Sequence, residues 1–188
     1  MLSGAPSSGK STVLDLVGRA GVATQEEQAR LYFTEELRRL GSNGLTTIDP
    51  ERFVRDIFQM NQQTHECVDR NEVVVFDRSL VDVVAFALLD GVPVDTMIPQ
   101  CAHYRFALAL IFDPVSAEDD DPVRYHPHDQ RLQIEIACEK LYEALGARVV
   151  RVPVFTTTAQ RAAMVLKEIE RMPQLRRGGA APLRKAKT

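Results

Sequence analysis

The segment with the clearest chemistry lies near the N-terminus. It fits the pattern G-x-x-x-x-G-K-[ST] at every position and comprises Gly4, Ala5, Pro6, Ser7, Ser8, Gly9, Lys10, Ser11 and Thr12. Glycines let backbone N–H groups turn inward around dense negative charge, and the N-terminus of a following helix adds partial positive charge. Lys10 can reach the β- and γ-phosphates, and the Ser11 hydroxyl can ligate Mg²⁺. The segment therefore predicts binding of a purine nucleoside triphosphate, ATP or GTP, with magnesium.

A second candidate group follows the apolar, β-branched run at residues 73–76, where Asp77 and Arg78 come directly after it. Open α/β sheets place their ligand crevice at the carboxyl ends of such strands. There Asp77 could bind magnesium or accept a proton from an acceptor hydroxyl, and Arg78 could hold a transferring phosphoryl group. A helix cap beside a surface arginine is the other interpretation. Asp82 is a substrate-binding candidate, although a carboxylate in a first helical turn also complements the helix dipole.

Two weaker groups complete the candidate site. Glu27 and Arg30 follow a short predicted strand. They could contact an acceptor substrate, or Glu27 could assist as a base, although a Glu–Arg pair at this spacing is also ordinary on an exposed helix surface. The polar segment 119–131 could be a lid that closes Arg124 and Arg131 over the phosphates. His126 and His128 in the same segment are expected to be solvated side chains rather than metal ligands, because no cysteine or third histidine is nearby.

The alternation of helical and apolar stretches predicts the elements that position these groups. Parallel pairing with right-handed crossovers follows from this alternation, in a three-layer α/β fold with a mainly parallel five-stranded sheet and a lid segment. We expect one domain over residues 1–172 and a basic, disordered tail over residues 173–188. Strands are expected at residues 1–2, 22–24, 73–76, 108–112 and 148–152, and helices at residues 10–20, 26–40, 49–70, 79–89, 93–104, 131–145 and 158–171.

The bulk composition indicates a cytoplasmic globular protein. The chain has 188 residues, a hydrophobic content of 45% and a formal net charge of -3, so nothing favours overall attraction to nucleic acid or an anionic membrane. No apolar run approaches the roughly 20 residues of a membrane span. The chain has three widely spaced cysteines and no C-x-x-C pair, a pattern typical of reduced thiols; they are Cys67, Cys101 and Cys138. The expected partners are a nucleoside triphosphate and a small-molecule acceptor, with a homodimer as a further option.

Together these motifs resemble a family of small AAA-type P-loop NTPase domains that includes the nicotinamide riboside kinase domain and related nucleoside-kinase-like proteins. The resemblance runs from Gly4 to about Glu170. It is carried by the phosphate loop, Glu27 with Arg30, Asp77 with Arg78 and Asp82, Arg124, Tyr142 with Gly146, and Val152 with Pro153. It implies that the loop holds ATP, that the acidic residue after the third strand works near the acceptor hydroxyl or the metal, and that lid arginines stabilise transferred phosphate.

The leading hypothesis is a kinase that moves the γ-phosphoryl group of ATP to a hydroxyl of a nucleoside-like or other small metabolite. Its catalytic residues would be Lys10, Asp77, Arg78 and Arg124, acting mainly by positioning and electrostatics. The alternative is a nucleotide-dependent binding module or switch, an ATPase or GTPase without a small-molecule acceptor. The absence of an N-K-x-D segment disfavours a Ras-like GTPase. An antibiotic-modifying phosphotransferase would share the chemistry and differ in its acceptor, which no residue identifies.

Overall fold

The computed structural model describes residues 1–41, 48–69, 71–114, 128–154 and 157–172, without the side chains of residues 40, 128 and 129. Three predictions therefore lie outside the described residues, namely the lid role of Arg124, the interpretation of His126 and His128 as solvated, and the basic tail at residues 173–188. No helix within these described ranges has the length and apolar character needed to cross a membrane.

Strands and helices alternate along the described part of the chain, as predicted. In order they are β1 (Leu2–Gly4), α1 (Lys10–Arg19), β2 (Ala23–Gln25), α2 (Gln28–Leu40), α3 (Pro50–Cys67), β3 (Val74–Phe76), α4 (Leu80–Leu89), α5 (Ile98–Cys101), β4 (Leu108–Phe112), α6 (His128–Ala144), β5 (Arg148–Val152) and α7 (Thr158–Glu170). The helix predicted over residues 93–104 is shorter than expected. Its α5 core is four residues long, because Pro93 and Pro99 limit where a helix can begin.

All strand pairs between described residues are parallel, in two hydrogen-bonded groups, β1-β4-β5 and β2-β3. A single bridge between Leu2 and Asp77 joins the groups, and the backbone N–H of Arg78 donates to the Leu2 carbonyl at 2.9 Å. The strand order is therefore β2-β3-β1-β4-β5. Since β1 pairs with β4 on one side and meets β3 on the other, the loop after β1 opens at the centre of the sheet, where α/β folds bind ligands.

Helices cover both faces of the sheet, and the fully buried strand β4 shows how the faces are divided. Leu108, Leu110 and Phe112 pack into one core cluster with side chains of α1 and α7. Ala109 and Ile111 point the other way, into a cluster with side chains of α3, α4 and α6. Alternating residues of a strand point to opposite faces, so a strand apolar at every position needs a cover on both sides. The predicted three-layer architecture is confirmed.

Candidate active site

The loop between β1 and α1 needs glycine at its first position. Gly4 has a φ of 113°, and a Cβ atom there would lie 2.6 Å from the carbonyl oxygen of Phe112 on β4. A side chain would therefore clash with backbone that cannot move without disturbing the sheet. Gly9, at the N-cap of α1, also has a positive φ of 80°. The two glycines of the motif thus occupy conformations that other residues rarely adopt.

The ammonium group of Lys10 lies inside this loop. Its Nζ donates to the Ala5 carbonyl at 2.7 Å and to Ser8 Oγ at 2.9 Å, and it lies 3.4 Å from the Gly4 carbonyl. Burial lowers the pKa of Lys10 to about 8, and the positive charge of Arg78 acts in the same direction against opposing nearby carboxylates. A bound polyphosphate would supply the compensating negative charge that favours the ammonium form.

Ser11 and Asp77 form the pair expected at a magnesium site. Ser11 Oγ donates to Asp77 Oδ2 at 2.6 Å, while Asp77 Oδ1 is buried and has no hydrogen-bond partner among the described residues. An unpartnered buried carboxylate oxygen is costly, and a hard cation would satisfy it. The described residues contain no cluster of three or more His, Cys, Asp or Glu side chains that could hold a metal alone. Mg²⁺ is commonly held by one or two protein ligands together with phosphates and water, and Ser11 and Asp77 would supply those two ligands.

Arg78 connects the phosphate loop to Glu27, the residue that precedes α2. Its Nη1 donates to the Gly4 carbonyl and its Nε to Glu27 Oε1, both at 2.8 Å. The guanidinium carbon lies 4.8 Å from the centre of the Phe86 ring. Burial disfavours the charged form, but the nearby carboxylates, Glu27 first among them, outweigh it and raise the pKa of Arg78. The positive φ of 64° is uncommon for arginine and is sustained by these contacts.

Asp82 lies beneath the site rather than in it. Its carboxylate is 1% exposed and accepts hydrogen bonds from Ser3 Oγ at 2.5 Å, the Tyr142 hydroxyl at 2.7 Å and the Ser79 backbone at 3.0 Å. It also lies 3.4 Å from Arg78 Nη1. Both oxygens therefore accept hydrogen bonds inside the protein, below the cavity that Asp82 was expected to line as a substrate-binding residue. Asp82 caps α4 and supports Arg78.

Glu27 and Arg30 line the same cavity as the candidate metal ligands Ser11 and Asp77. The cavity has a volume of about 460 Å³, and its lining includes Ser11, Glu27, Arg30 and Asp77. Glu27 is the N-cap of α2, and Arg30 Nη2 lies 3.4 Å from Ser11 Oγ. The fold therefore brings together two residue groups that are 50 positions apart in the chain. One open space borders a phosphate loop, a candidate metal pair and a carboxylate oriented by arginine.

Two buried charged residues near the loop were not predicted. Arg161 on α7 donates from Nη1 to the Ser8 carbonyl at 2.7 Å. Glu135 on α6 is 1% exposed and its Oε1 has no described partner. Burial raises the pKa of Glu135 to about 7, against the opposing charge of Arg151. The sequence offered one indication of a buried role for Arg161. It lies four residues before Val165, on the same face of the predicted helix, where an apolar residue is expected.

The comparisons with known proteins agree with this geometry. A family model described as an AAA domain matches residues 1–161, so the chain belongs to this AAA-domain family. No curated protein sequence matches the chain at a significant level.

The fold is similar to a solved structure of deoxyadenosine kinase from M. mycoides with the products dCMP and a flexible dCDP bound. The TM-score is 0.57 at 12% identity, over 90% of this chain and 97% of that chain. Shikimate kinase from Aquifex aeolicus VF5 is also similar, with a TM-score of 0.47 and 15% identity over 90% of this chain and 94% of that chain. The similarity to the deoxyadenosine kinase structure shows that this chain shares its fold.

Proposed function

We propose that the protein is a P-loop kinase that transfers the γ-phosphoryl group of ATP to a hydroxyl of a nucleoside-like or other small metabolite. The observation that carries this proposal is the double contact of Arg78. Its guanidinium joins the Gly4 carbonyl of the phosphate loop to the Glu27 carboxylate. A phosphate-binding loop with an arginine-oriented carboxylate beside it is what transfer to an acceptor needs and what nucleotide binding alone does not.

On the nucleotide side, the loop amides and Lys10 would hold the phosphates. Ser11 and Asp77 would hold Mg²⁺, which supplies charge neutralisation when bound. The Ser11–Asp77 hydrogen bond and the unpartnered Asp77 oxygen support this assignment. Arg30, next to the Ser11 hydroxyl, would contact the phosphoryl oxygens from the acceptor side. Arg124 keeps its proposed role as a lid arginine.

On the acceptor side, we assign proton acceptance to Glu27 rather than to Asp77. The Asp77 carboxylate is 3% exposed and engaged with Ser11. The Glu27 side chain is 22% exposed, lines the cavity and has one oxygen fixed by Arg78. An acceptor hydroxyl in the cavity could therefore reach a Glu27 oxygen, and Arg78 would hold that carboxylate in place while the proton moves.

The direct test is a steady-state assay of ADP release against a panel of nucleosides and other hydroxylated metabolites, with phosphorylated products identified by mass spectrometry. At least one acceptor should raise ADP release above the rate with water. Glu27→Gln should then abolish most of the stimulated rate, whereas Glu26→Gln, on the exposed neighbour that lines the same cavity, should retain it. If no acceptor raises the rate, the kinase proposal is wrong.

The alternative is a nucleotide-dependent binding module or switch. Membership of an AAA-domain family favours it, as do three exposed apolar side chains on α2, namely Leu31, Phe33 and Leu37. This alternative predicts slow hydrolysis, no phosphorylated small molecule and a partner whose affinity depends on the bound nucleotide. Product analysis in the same assay separates the two proposals.

A further inference from the structure

Arg161 is buried directly beneath the phosphate loop. It lies in the first turn of α7 and is 4% exposed. Its Nη1 donates to the Ser8 carbonyl at 2.7 Å, and its Nε donates to the Pro153 carbonyl at 3.0 Å. The guanidinium carbon is 5.9 Å from the centre of the Phe112 ring. One cation thus connects the loop, the end of β5 and the last residue of β4.

The contact with Ser8 affects the peptide unit that this carbonyl shares with Gly9. The described chain has no cis peptide bond, and in a trans peptide the C=O and the following N–H point in opposite directions. Because Arg161 holds the Ser8 carbonyl toward α7, the Gly9 N–H points to the opposite side of the loop. A cation on the carbonyl also polarises the peptide and makes this N–H a stronger donor.

Within the part of the chain that the structure describes, the charge of Arg161 has no local counterpart. No described carboxylate lies within ion-pair distance of it, and its described hydrogen bonds are to backbone carbonyls. Burying an unpaired guanidinium is expensive, and a core arginine is normally paired with an acid. Burial accordingly lowers the pKa of Arg161, with Asp113 opposing from a distance. A polyphosphate on the far side of the loop is the anion that this site lacks.

We propose that Arg161 is a positioning residue for nucleotide binding, which orients the Ser8–Gly9 peptide so that the Gly9 N–H donates to a phosphate and which places a positive charge behind the loop. This inference rests on the proposed function, because it assumes that the loop binds a nucleoside triphosphate. It adds a residue 151 positions beyond Lys10, outside every motif, to the phosphate site.

The test measures nucleotide affinity by calorimetry with Mg²⁺, and KM and kcat where an acceptor is found. Arg161→Met keeps the apolar stem and removes the charge and both donors. It should weaken ATP and ADP binding about tenfold, the loss expected from one charge-assisted hydrogen bond. Arg161→Lys should recover part of this loss. KM for ATP should rise in the Met variant, while KM for the acceptor and kcat stay within about twofold of wild type.

Arg148→Met is the matched control. Arg148 also connects β5 to α7, through Glu168, but the connection is at the other end of the helix and does not touch the loop. This variant should be destabilised without losing ATP affinity. If Arg161→Met is destabilised in the same way and its folded fraction binds ATP like wild type, the residue is structural and the inference is wrong.

A second measurement covers the case in which Arg161→Met does not fold. In wild type, the Gly9 amide resonance should shift strongly when ATP and Mg²⁺ are added, and in Arg161→Lys the shift should be reduced. An equal shift in both proteins would overturn the inference while leaving the kinase proposal intact. If the wild-type chain itself gives no binding heat with ATP, the proposed function fails first, and the role of Arg161 fails with it.

Discussion

The strands that support the phosphate loop and the edge strand that leads to Glu27 differ in how far they are enclosed. Every residue of β1 and β4, which support the phosphate loop, is buried. No residue of β2, the edge strand that leads to Glu27, is buried. The adjoining helix α2 exposes Leu31, Phe33 and Leu37 by 43 to 45%. One bridge, between Leu2 and Asp77, joins the two groups.

This difference matches the two tasks that the proposed kinase would perform. Polyphosphate is the same in every nucleoside triphosphate, so it can be bound by backbone amides that a rigid, buried frame holds in place. An acceptor is recognised by side chains, and its pocket must open to admit it. A second space of about 310 Å³ lies against α3, with Gln25, Gln28 and Gln63 in its lining. The half of the molecule to which we assign the acceptor thus offers neutral amides and exposed apolar side chains rather than a closed pocket.

The largest effect that separates the two halves should come from Asp77→Asn. The amide oxygen can still accept from Ser11, but the negative charge that supports Mg²⁺ is gone, so kcat should fall about a thousandfold, as for other electrostatic groups at a reacting centre. ATP affinity should change by less than about threefold. Lys10→Ala should instead lose ATP affinity, because the ammonium group lies inside the loop.

Both quantities can be measured by calorimetry and single-turnover kinetics. Asp15→Asn is the matched control, since Asp15 lines the same cavity but pairs with Arg19 on the surface of α1. It should leave kcat within about twofold of wild type. Equal losses of ATP binding in the Asp77 and Lys10 variants would show that Asp77 is misassigned as a residue that acts on turnover and not on nucleotide affinity.

The next largest effect should be on the stability of the enclosed half. Gly4→Ala would place a Cβ atom 2.6 Å from the Phe112 carbonyl at a φ of 113°, so we expect the free energy of unfolding to fall by about 3 kcal/mol. Gly21→Ala has a comparable φ of 91° but no heavy atom within 4 Å of the new Cβ. It should cost about 1 kcal/mol. Urea unfolding measures both, and equal losses would mean that the clash at Phe112 is relieved.

The same division decides what could be predicted from the sequence. The phosphate loop is local: nine consecutive residues, from Gly4 to Thr12, contain the glycines, the lysine and the hydroxyl. The parallel pairing and the three layers follow from alternating apolar runs and connection rules, whereas the strand order was not predicted. Asp77 and Arg78 could be predicted as site candidates because the carboxyl end of a buried strand has a known place in such folds. The separate roles proposed for Asp77 and Arg78 could not be predicted, because they depend on which side chains each residue contacts in the folded structure.

The features of the site that the sequence did not indicate all depend on long-range contacts. Asp82 was a substrate-binding candidate, and the structure shows that Ser3 and Tyr142, which are distant in sequence, donate to its oxygens. Arg161 and Glu135 lie on helix faces that pack against the sheet, where an apolar pattern predicts apolar residues. Their charges can be explained only from the folded structure, in which the phosphate loop lies next to α7 and α6.

Glu135 gives a prediction about pH. Its folded-state pKa of about 7 exceeds the ordinary value of 4.5, so the folded state holds the proton more tightly and the free energy of unfolding falls as pH rises from about 4.5 to 7. Asp113 at the end of β4, Arg151 on β5, Glu139 on α6 and the more distant Lys10 are the charges that act on it. The amide side chain of Glu135→Gln cannot titrate, so this variant should not lose that stability. Between pH 5 and pH 8, its free energy of unfolding should rise by about 2 kcal/mol relative to that of wild type.

Urea unfolding from pH 4.5 to 8 tests this prediction. Glu139→Gln is the control, because that carboxylate is partly exposed and pairs with Arg151 at 2.7 Å. It should keep the fall in stability between pH 5 and 7 that Glu135→Gln loses. Parallel pH profiles for wild type and Glu135→Gln would mean that burial does not raise the pKa of this carboxylate above its ordinary value.

The smallest stability effect is expected on the open side, from Phe33→Ala. Phe33 is 43% exposed and lies 4.8 Å from the Phe53 ring, centre to centre. Its loss should lower the free energy of unfolding by less than about 1 kcal/mol. Phe33 is three residues after Arg30, which lines the cavity, and neighbours at this spacing share a helix face.

If that face meets the acceptor, Phe33→Ala should raise KM for the acceptor severalfold and leave ATP affinity unchanged. Leu89→Ala, at an exposed apolar position on α4, should change neither quantity. A loss of ATP affinity in Phe33→Ala with an unchanged acceptor KM would break the proposed division of the molecule, because an exposed α2 side chain would then act on the enclosed phosphate half. With KM raised for one class of acceptor and not another, the same variant would identify which chemical groups the open half recognises.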